Sequence, residues 1–243
     1  MFKKGRAEKK AFVRRDRKKV KPLPHTVERY AEAFARAGFS FPIIHGPYLF
    51  PAEEAKTKVA GWLTANRLEK KETWIGIAPF ALHRSKIWPL GNYPKLIDTL
   101  IKQYSAKIFL FGGGEQEIAW FNDFKGLFPA NCVVVAGQLK MREEIALMHQ
   151  LDFMLCVDSS NMHLAALCGV PLLSIWGGTH PDVGFAPFGK TAENILQISR
   201  EELPCRPCSV FGKETCHRGD FACLAGITPE TVQSRIHALL TKN

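Results

Sequence analysis

From about residue 73 onward, apolar runs of four to seven residues alternate with longer segments whose apolar positions recur every three or four residues. The short runs read as strands buried on both faces and the longer segments as amphipathic helices, a pattern that belongs to βα units and a parallel sheet. Strands are predicted at 74–80, 107–111, 132–135, 153–157 and 171–175. Helices are predicted at 93–104, 115–124, 142–149 and 161–168, with Gly169 closing the last. A final helix over 229–240 starts with Pro229 in its first turn. Upstream, Thr26 offers a cap for a helix carrying Val27, Tyr30, Ala31 and Phe34 at helical spacing, and Gly38 ends it. Residues 39–51 are rich in proline, glycine and aromatics and read as a connector, and another helical stretch runs through Leu63.

Composition adds that the chain is globular: of 243 residues 46% are apolar and 23% charged, which excludes a disordered or collagen-like chain. No apolar run approaches the roughly 18–20 residues of a membrane span, and the N-terminus has no apolar stretch behind its basic residues, so a cytoplasmic location is expected. The formal charge of +10 suggests nucleic acid until it is located. Residues 1–21 hold eleven Lys/Arg against Glu8 and Asp16, a surplus of nine, and the remainder carries 22 basic and 21 acidic residues. Basicity therefore belongs to an N-terminal arm, which reads either as a solvated, poorly ordered terminus or as a contact for RNA, DNA or lipid head groups. No nucleic-acid-binding motif accompanies it.

In an open parallel sheet, ligands bind beyond the carboxyl ends of the strands, so the loops there should carry the chemistry. Lys86 follows the first strand, where a long-stemmed point charge suits a phosphate oxygen and where an ordinary exposed lysine would also fit. Gly112-Gly113-Gly114-Glu115 follows the second. Its glycines permit close backbone approach and Glu115 can accept ribose hydroxyls, although a tight βα turn explains the same residues. It is not the GxGxxG fingerprint of nicotinamide enzymes.

The 153–157 strand runs directly into Asp158-Ser159-Ser160 and a short helix bearing His163. Unpaired amides and two hydroxyls there form an anion site suited to a diphosphate. Asp158 would repel a bare phosphate and suits an uncharged sugar hydroxyl. The plainer alternative is helix capping by Asp158 or Ser159, with His163 in the core. Gly177-Gly178-Thr179-His180-Pro181 reads as a loop over the same ligand or as a simple turn.

Among seven cysteines, Cys132, Cys156 and Cys168 fall in apolar segments and read as buried hydrophobes. Cys205, Cys208, Cys216 and Cys223 resemble a zinc cluster only in their first pair, so reduced thiols in a surface insert are expected and no metal is assigned.

Taken in order, Lys-x-Trp-Pro (86–89), Gly-Gly-x-Glu (112–115), Asp-Ser-x-x-x-His (158–163), Gly-Val-Pro (169–171) and Trp-Gly-Gly-Thr-x-Pro (176–181) resemble glycosyltransferase family 9, the ADP-heptose:lipopolysaccharide heptosyltransferases. Cys-Arg-Pro-Cys (205–208) and Ile-x-Pro-Glu-x-Val (227–232) resemble that family's C-terminus. The resemblance covers roughly residues 22–240. It implies an α/β, GT-B fold: a basic arm (1–21), a remnant of the N-terminal acceptor domain with linker (22–66), and a complete Rossmann-like donor domain (67–243). It implies inverting, metal-independent transfer of heptose from ADP-heptose to a lipopolysaccharide core acceptor. No cofactor is needed, and contact with the inner membrane would be peripheral.

By the same resemblance Lys86, Ser159 and Ser160 would hold the diphosphate, with His163 beside them. Glu115 would hold the ribose, Asp158 the heptose, and Leu139 would lie near the adenine. Thr179 would complete the donor site. The family often has glycine where this chain has Ser160. Its proposed base is an aspartate after the first N-terminal strand. None of Glu8, Asp16, Glu28, Glu32, Glu53 and Glu54 stands at a strand mouth, so the base is expected in a missing part of that domain. A non-catalytic nucleotide-sugar-binding module and a nucleic-acid-binding protein remain as alternatives.

Overall fold

A computed structural model describes residues 5–14, 21–44 and 46–242. Its centre is one all-parallel sheet in the order β3-β2-β1-β4-β5-β6. The strands are β1 (Trp74–Ala78), β2 (Lys107–Leu110), β3 (Cys132–Val134), β4 (Phe153–Val157), β5 (Leu172–Ile175) and β6 (Ile195–Leu196). Among the helices are α1 (Arg6–Phe12), α2 (Thr26–Arg36), α3 (Glu53–Ala65), α4 (Tyr93–Tyr104), α5 (Glu115–Leu127), α6 (Met141–Met148), α7 (Ser160–Leu167), α8 (Ala222–Ala225) and α9 (Pro229–Leu240). This is the doubly wound order in which the chain leaves β1 toward one edge and returns at β4 toward the other, so a crevice opens between the loops after β1 and β4.

The side chains of β1 show why the runs were continuous. Ile75 and Ile77 enter one core with Leu96, Leu100 and Ile236, while Trp74 and Ala78 enter a second with Val59, Leu147 and Met162. Both faces are covered, so both alternate sets must be apolar. Gly76 sits between them because a Cβ there would overlap Met154 Sδ and approach Leu151 Cδ1 to 2.7 Å.

β1 ends two residues and β2 and β3 one residue earlier than predicted, β5 starts one residue later, and β4 matches. β6 was absent from the sequence reading because two residues carry no periodicity. It is held by Ser174 Oγ donating to Asn194 O (2.9 Å) and Asn194 Nδ2 donating to Leu172 O (2.8 Å). The cap of α2 is His25 rather than Thr26: its Nδ1 accepts from Val27 N (3.1 Å), and Glu28 accepts from His25 N (2.8 Å). Thr26 Oγ1 instead donates to Gly184 O (2.8 Å), tying α2 to the loop beyond β5.

The arm needs the larger correction. Read as poorly ordered, it contains α1, whose Phe12 is buried against the His180 ring at 5.4 Å. Phe12, together with the buried Lys9 over the Phe185 ring (4.0 Å), docks this short helix. Lys3, Lys4, Arg15, Arg17, Lys18 and Lys19 lie outside the described residues. Among the described residues, no helix is long and apolar enough to cross a membrane.

Gly76→Val should lower the urea midpoint by the equivalent of about 1–3 kcal/mol through overpacking, with the denaturant slope unchanged. An unaltered midpoint would show that Met154 and Leu151 yield freely.

Candidate functional site

The crevice at the β1/β4 switch point is a cavity of about 670 Å³ lined by residues following β1, β2, β3 and β4. After β1 the chain makes a short turn that ends at Lys86. Ser85, buried in that turn, accepts from Gly178 N through its carbonyl (2.8 Å) and exchanges two bonds with the Lys213 backbone (2.8 and 3.0 Å). So fixed, the turn aims Lys86 Nζ at Asp158 Oδ2, 3.0 Å away, with both side chains largely buried. The same Oδ2 accepts from Thr179 Oγ1 at 2.7 Å. Lys86, Asp158 and Thr179 thus form one unit, which the sequence offered only as separate candidates. Thr179 is buried and outside the cavity lining, so it positions Asp158.

Ser159 stands in extended conformation as the cap of α7, yet its side chain makes no capping bond. Its Oγ is buried and has no hydrogen-bond partner in the protein. An unpartnered buried hydroxyl carries a desolvation cost, and here it sits at the start of α7 on a residue that lines the same cavity as Lys86. Ser160 is exposed and His163 half-buried, and both line the cavity. Burial is the main force holding the His163 pKa below its ordinary value; His25 and Lys86 add to it and Asp158 opposes it. The imidazole is therefore neutral at pH 7 and able to donate one N–H.

Two sequence expectations fall elsewhere. Glu115 is exposed and outside the lining; Glu117, two residues on, lines the cavity and accepts from Gly113 N (2.9 Å). Residues two apart on a helix point roughly 200° away from each other, so only one of the pair faces inward. Leu139 packs on the second core, and Met141 supplies apolar surface at the cavity.

Sequence reasoning missed Glu144, a cavity residue whose carboxyl is pushed up to about 7 by burial and then by Glu143. It also missed Arg206. This guanidinium is buried and donates to Gly177 O (3.0 Å), Thr179 O (3.1 Å), Gln197 Oε1 (2.9 Å) and Ile198 O. Burial lowers its pKa to about 10, so it stays charged, clasping the loop that carries Thr179 to Asp158. Its signal is the arginine between the cysteines of Cys-Arg-Pro-Cys.

Those thiols lie on a segment that is exposed around Cys216 and buried at its two ends. Cys223 is buried, while Cys205, Cys208 and Cys216 are half-buried, and Cys208 Sγ lies 3.6 Å from Gly178 O. All are free, and among the described residues no three His, Cys, Asp or Glu side chains converge in a way that could hold a metal ion. Cys132, Cys156 and Cys168 are buried, as expected.

A doubly wound sheet with a polar crevice at its switch point, walled by a lysine and a helix start, defines a domain of the Rossmann-like kind. The model of glycosyltransferase family 9 (heptosyltransferase) matches residues 1–213, and the chain belongs to that family. It is 30% identical over 234 residues to lipooligosaccharide heptosyltransferase 2 of Haemophilus influenzae, covering 91% of this chain and 64% of the relative. Escherichia coli ADP-heptose lps heptosyltransferase II shares its fold, with TM-score 0.68 and 23% identity over 90% of this chain and 62% of that one. The E. coli heptosyltransferase WaaC with ADP-2-deoxy-2-fluoro heptose superposes with TM-score 0.60 at 21% identity, covering 92% and 59%. The chain thus spans less than two thirds of the length of these relatives.

Arg206→Lys keeps the charge and loses the fork, so it should destabilise the fold by about 3 kcal/mol in urea titration. His180 supplies a pH test. Burial, with Arg206 and Arg200, lowers its pKa to about 3. Unfolded, it binds a proton near pH 6.5, so between these values the unfolded chain holds more protons and stability falls as pH falls, by up to ~1.4 kcal/mol per unit. Asparagine at 180 would keep the acceptor that takes Asp182 N (3.2 Å) and remove the titration. His180→Asn should therefore flatten the loss of stability between pH 6.5 and 5. An unchanged slope would contradict burial of the neutral ring.

Proposed function

We propose that this chain provides the donor half of a heptosyltransferase, binding ADP-heptose in the crevice between the β1 and β4 loops for transfer of heptose to a lipopolysaccharide core acceptor. The observation that carries this reading is the unpartnered Ser159 hydroxyl at the start of α7, beside the Lys86–Asp158 pair. That arrangement suits a diphosphate, with Lys86, Ser159, Ser160 and the α7 amides as donors and neutral His163 beside them. Asp158, held by Thr179, is left for a heptose hydroxyl. The ribose falls to the first turn of α5, where Glu117 faces the cavity and Glu115 lies outside its lining. Leu164 and Met141 give apolar surface for the adenine, near the Leu139 position.

Inverting transfer needs a base on the acceptor hydroxyl, in-line attack at the anomeric carbon and stabilisation of the departing ADP. The residues above supply the last of these. A positioned base is commonly worth ~10²–10⁴ in rate, so binding and turnover are separate readouts. The reading requires no metal and no resident cofactor. We place the reaction on the cytoplasmic side, peripheral at the inner membrane, where the acceptor lipid would be.

ADP should raise the melting temperature, and Ser159→Ala should weaken ADP about five- to tenfold without lowering the stability of the free chain, since the hydroxyl has no partner to lose. Lys86→Ala should abolish most of the shift but also destabilise the free chain by leaving Asp158 buried without its cation. A flat thermal response at millimolar ADP would overturn the donor reading. Binding without heptosyl transfer to a lipid A–Kdo acceptor would restrict this chain to nucleotide-sugar binding.

A further inference from the structure

We propose that Glu144 is a specificity-determining residue of the crevice, its carboxyl accepting a hydrogen bond from the 6-amino group of the donor's adenine and excluding purines with an oxygen at that position. This rests on the donor reading above and adds which group reads the base.

α6 begins at Met141, and Glu144 follows three residues on, so the two share one face of the helix, and both line the crevice. Leu164 of α7 lines the same cavity. Met141 is 65% exposed, a soft apolar side chain left to water that a flat base would cover. Glu144 thus stands beside the apolar surface available to a purine.

The other carboxyls of this region are engaged. Glu143 accepts from Lys140 N (2.6 Å) and stands 3.7 Å from Lys58 Nζ. Asp158 is held by Lys86 and Thr179, and Glu117 accepts from Gly113 N. Glu144 is half-buried, and among the described residues its carboxyl has no hydrogen bond or ion pair. A carboxyl partly withdrawn from water and bonded to nothing gains from a ligand that donates to it.

Its charge state sets what it accepts. Burial, and then Glu143, push the carboxyl up to about 7. On α3, Lys58 pairs with Glu54 (2.7 Å), and on α7 the imidazole of His163 is neutral at pH 7. Neither these groups nor Lys140 and Arg142 at the start of α6 contribute to the shift. Lys86, Asp158 and Glu117 do not contribute either, which separates Glu144 from the diphosphate end of the crevice. Ionised, the carboxylate is acceptor-only: it takes a charge-assisted bond from an amine and repels a carbonyl oxygen. Protonated, it both donates and accepts, so either substituent satisfies it.

ADP and inosine diphosphate, which carry the same diphosphate and differ in the purine at C6 and N1, are titrated calorimetrically into the full chain at pH 6.0 and 8.0. The ratio of their affinities reports the base alone. ADP should bind about tenfold tighter at pH 8.0, and the preference should shrink to about two- to threefold at pH 6.0. Glu144→Gln, whose amide donates and accepts at every pH, should give a ratio that does not move with pH. Glu144→Leu should bring the two nucleotides within about threefold at both values, with the melting temperature of the free chain retained. A wild-type ratio that is flat or falls with pH, or a leucine variant that keeps the tenfold preference, would overturn the assignment and leave the donor reading standing. Failure of both nucleotides to bind at either pH would overturn the donor reading and this assignment with it.

Discussion

Lys86 and Asp158 come from loops that follow different strands, lie 3.0 Å apart and are mostly buried. Bringing two opposite charges out of water costs several kcal/mol per ion before their attraction is counted, so such a pair persists only where its geometry is fixed from outside. Here the fixing is explicit. Ser85 is bonded on both sides to the Lys213 backbone and to Gly178, which holds the lysine's turn. Thr179 donates to Asp158, and Arg206 donates to Thr179 O, which holds the aspartate's side. The crevice between β1 and β4 is preorganised around this contact, and an entering diphosphate would compete with Asp158 for the same ammonium.

That dependence explains why the C-terminal third of the chain matters to a site made mostly by loops upstream. Arg206 is a buried cation whose hydrogen bonds go to carbonyls and one amide oxygen. Full hydrogen bonding substitutes for hydration of the charge, which is why it tolerates burial. Around it residues 205–210 pack under the loop beyond β5 while most of 211–220 is exposed, and Trp88 Nε1 donates to Ile227 O (2.9 Å), joining the first strand's loop to the approach to α9.

The polar character of the crevice differs from that of a second, basic cavity. At the switch point one lysine, paired with Asp158, stands among three carboxylates, with Glu117 and Glu144 on the same wall, so the described lining has an acidic excess and its selectivity rests on hydrogen bonding rather than net charge. Glu144, with its carboxyl near 7, adds a charge that responds to pH around neutrality. Protonated, it does not repel a phosphate; ionised, it does. The second cavity, lined by residues of α1, α2 and the segment from Cys208 to Lys213, has five cations and no acid among its described lining residues. α1 itself is present there because Phe12 docks it, and only then do its lysines become part of a pocket.

Much of the fold was legible in the chain because fully buried strands must be continuous apolar runs, and because helices packed on one face must repeat near 3.6 residues. The 153–157 strand, the 93–104 helix and the 229–240 helix were placed to the residue. The Asp158-Ser159-Ser160 turn was recognisable as an anion site, since any strand running into a helix start presents free amides there. What the order of residues could not contain is which side chains meet. Glu117 rather than Glu115 faces the crevice because helix rotation about α5 is set by the packing of Phe121 and Phe124. Thr179 and Arg206 act at Asp158 from 21 residues and more along the chain, β6 is held by single side chains with no periodic pattern, and a basic arm becomes a cavity wall through one phenylalanine. Periodicity is a local property and was read directly; convergence of distant groups is a property of the closed sheet and existed only once it had formed.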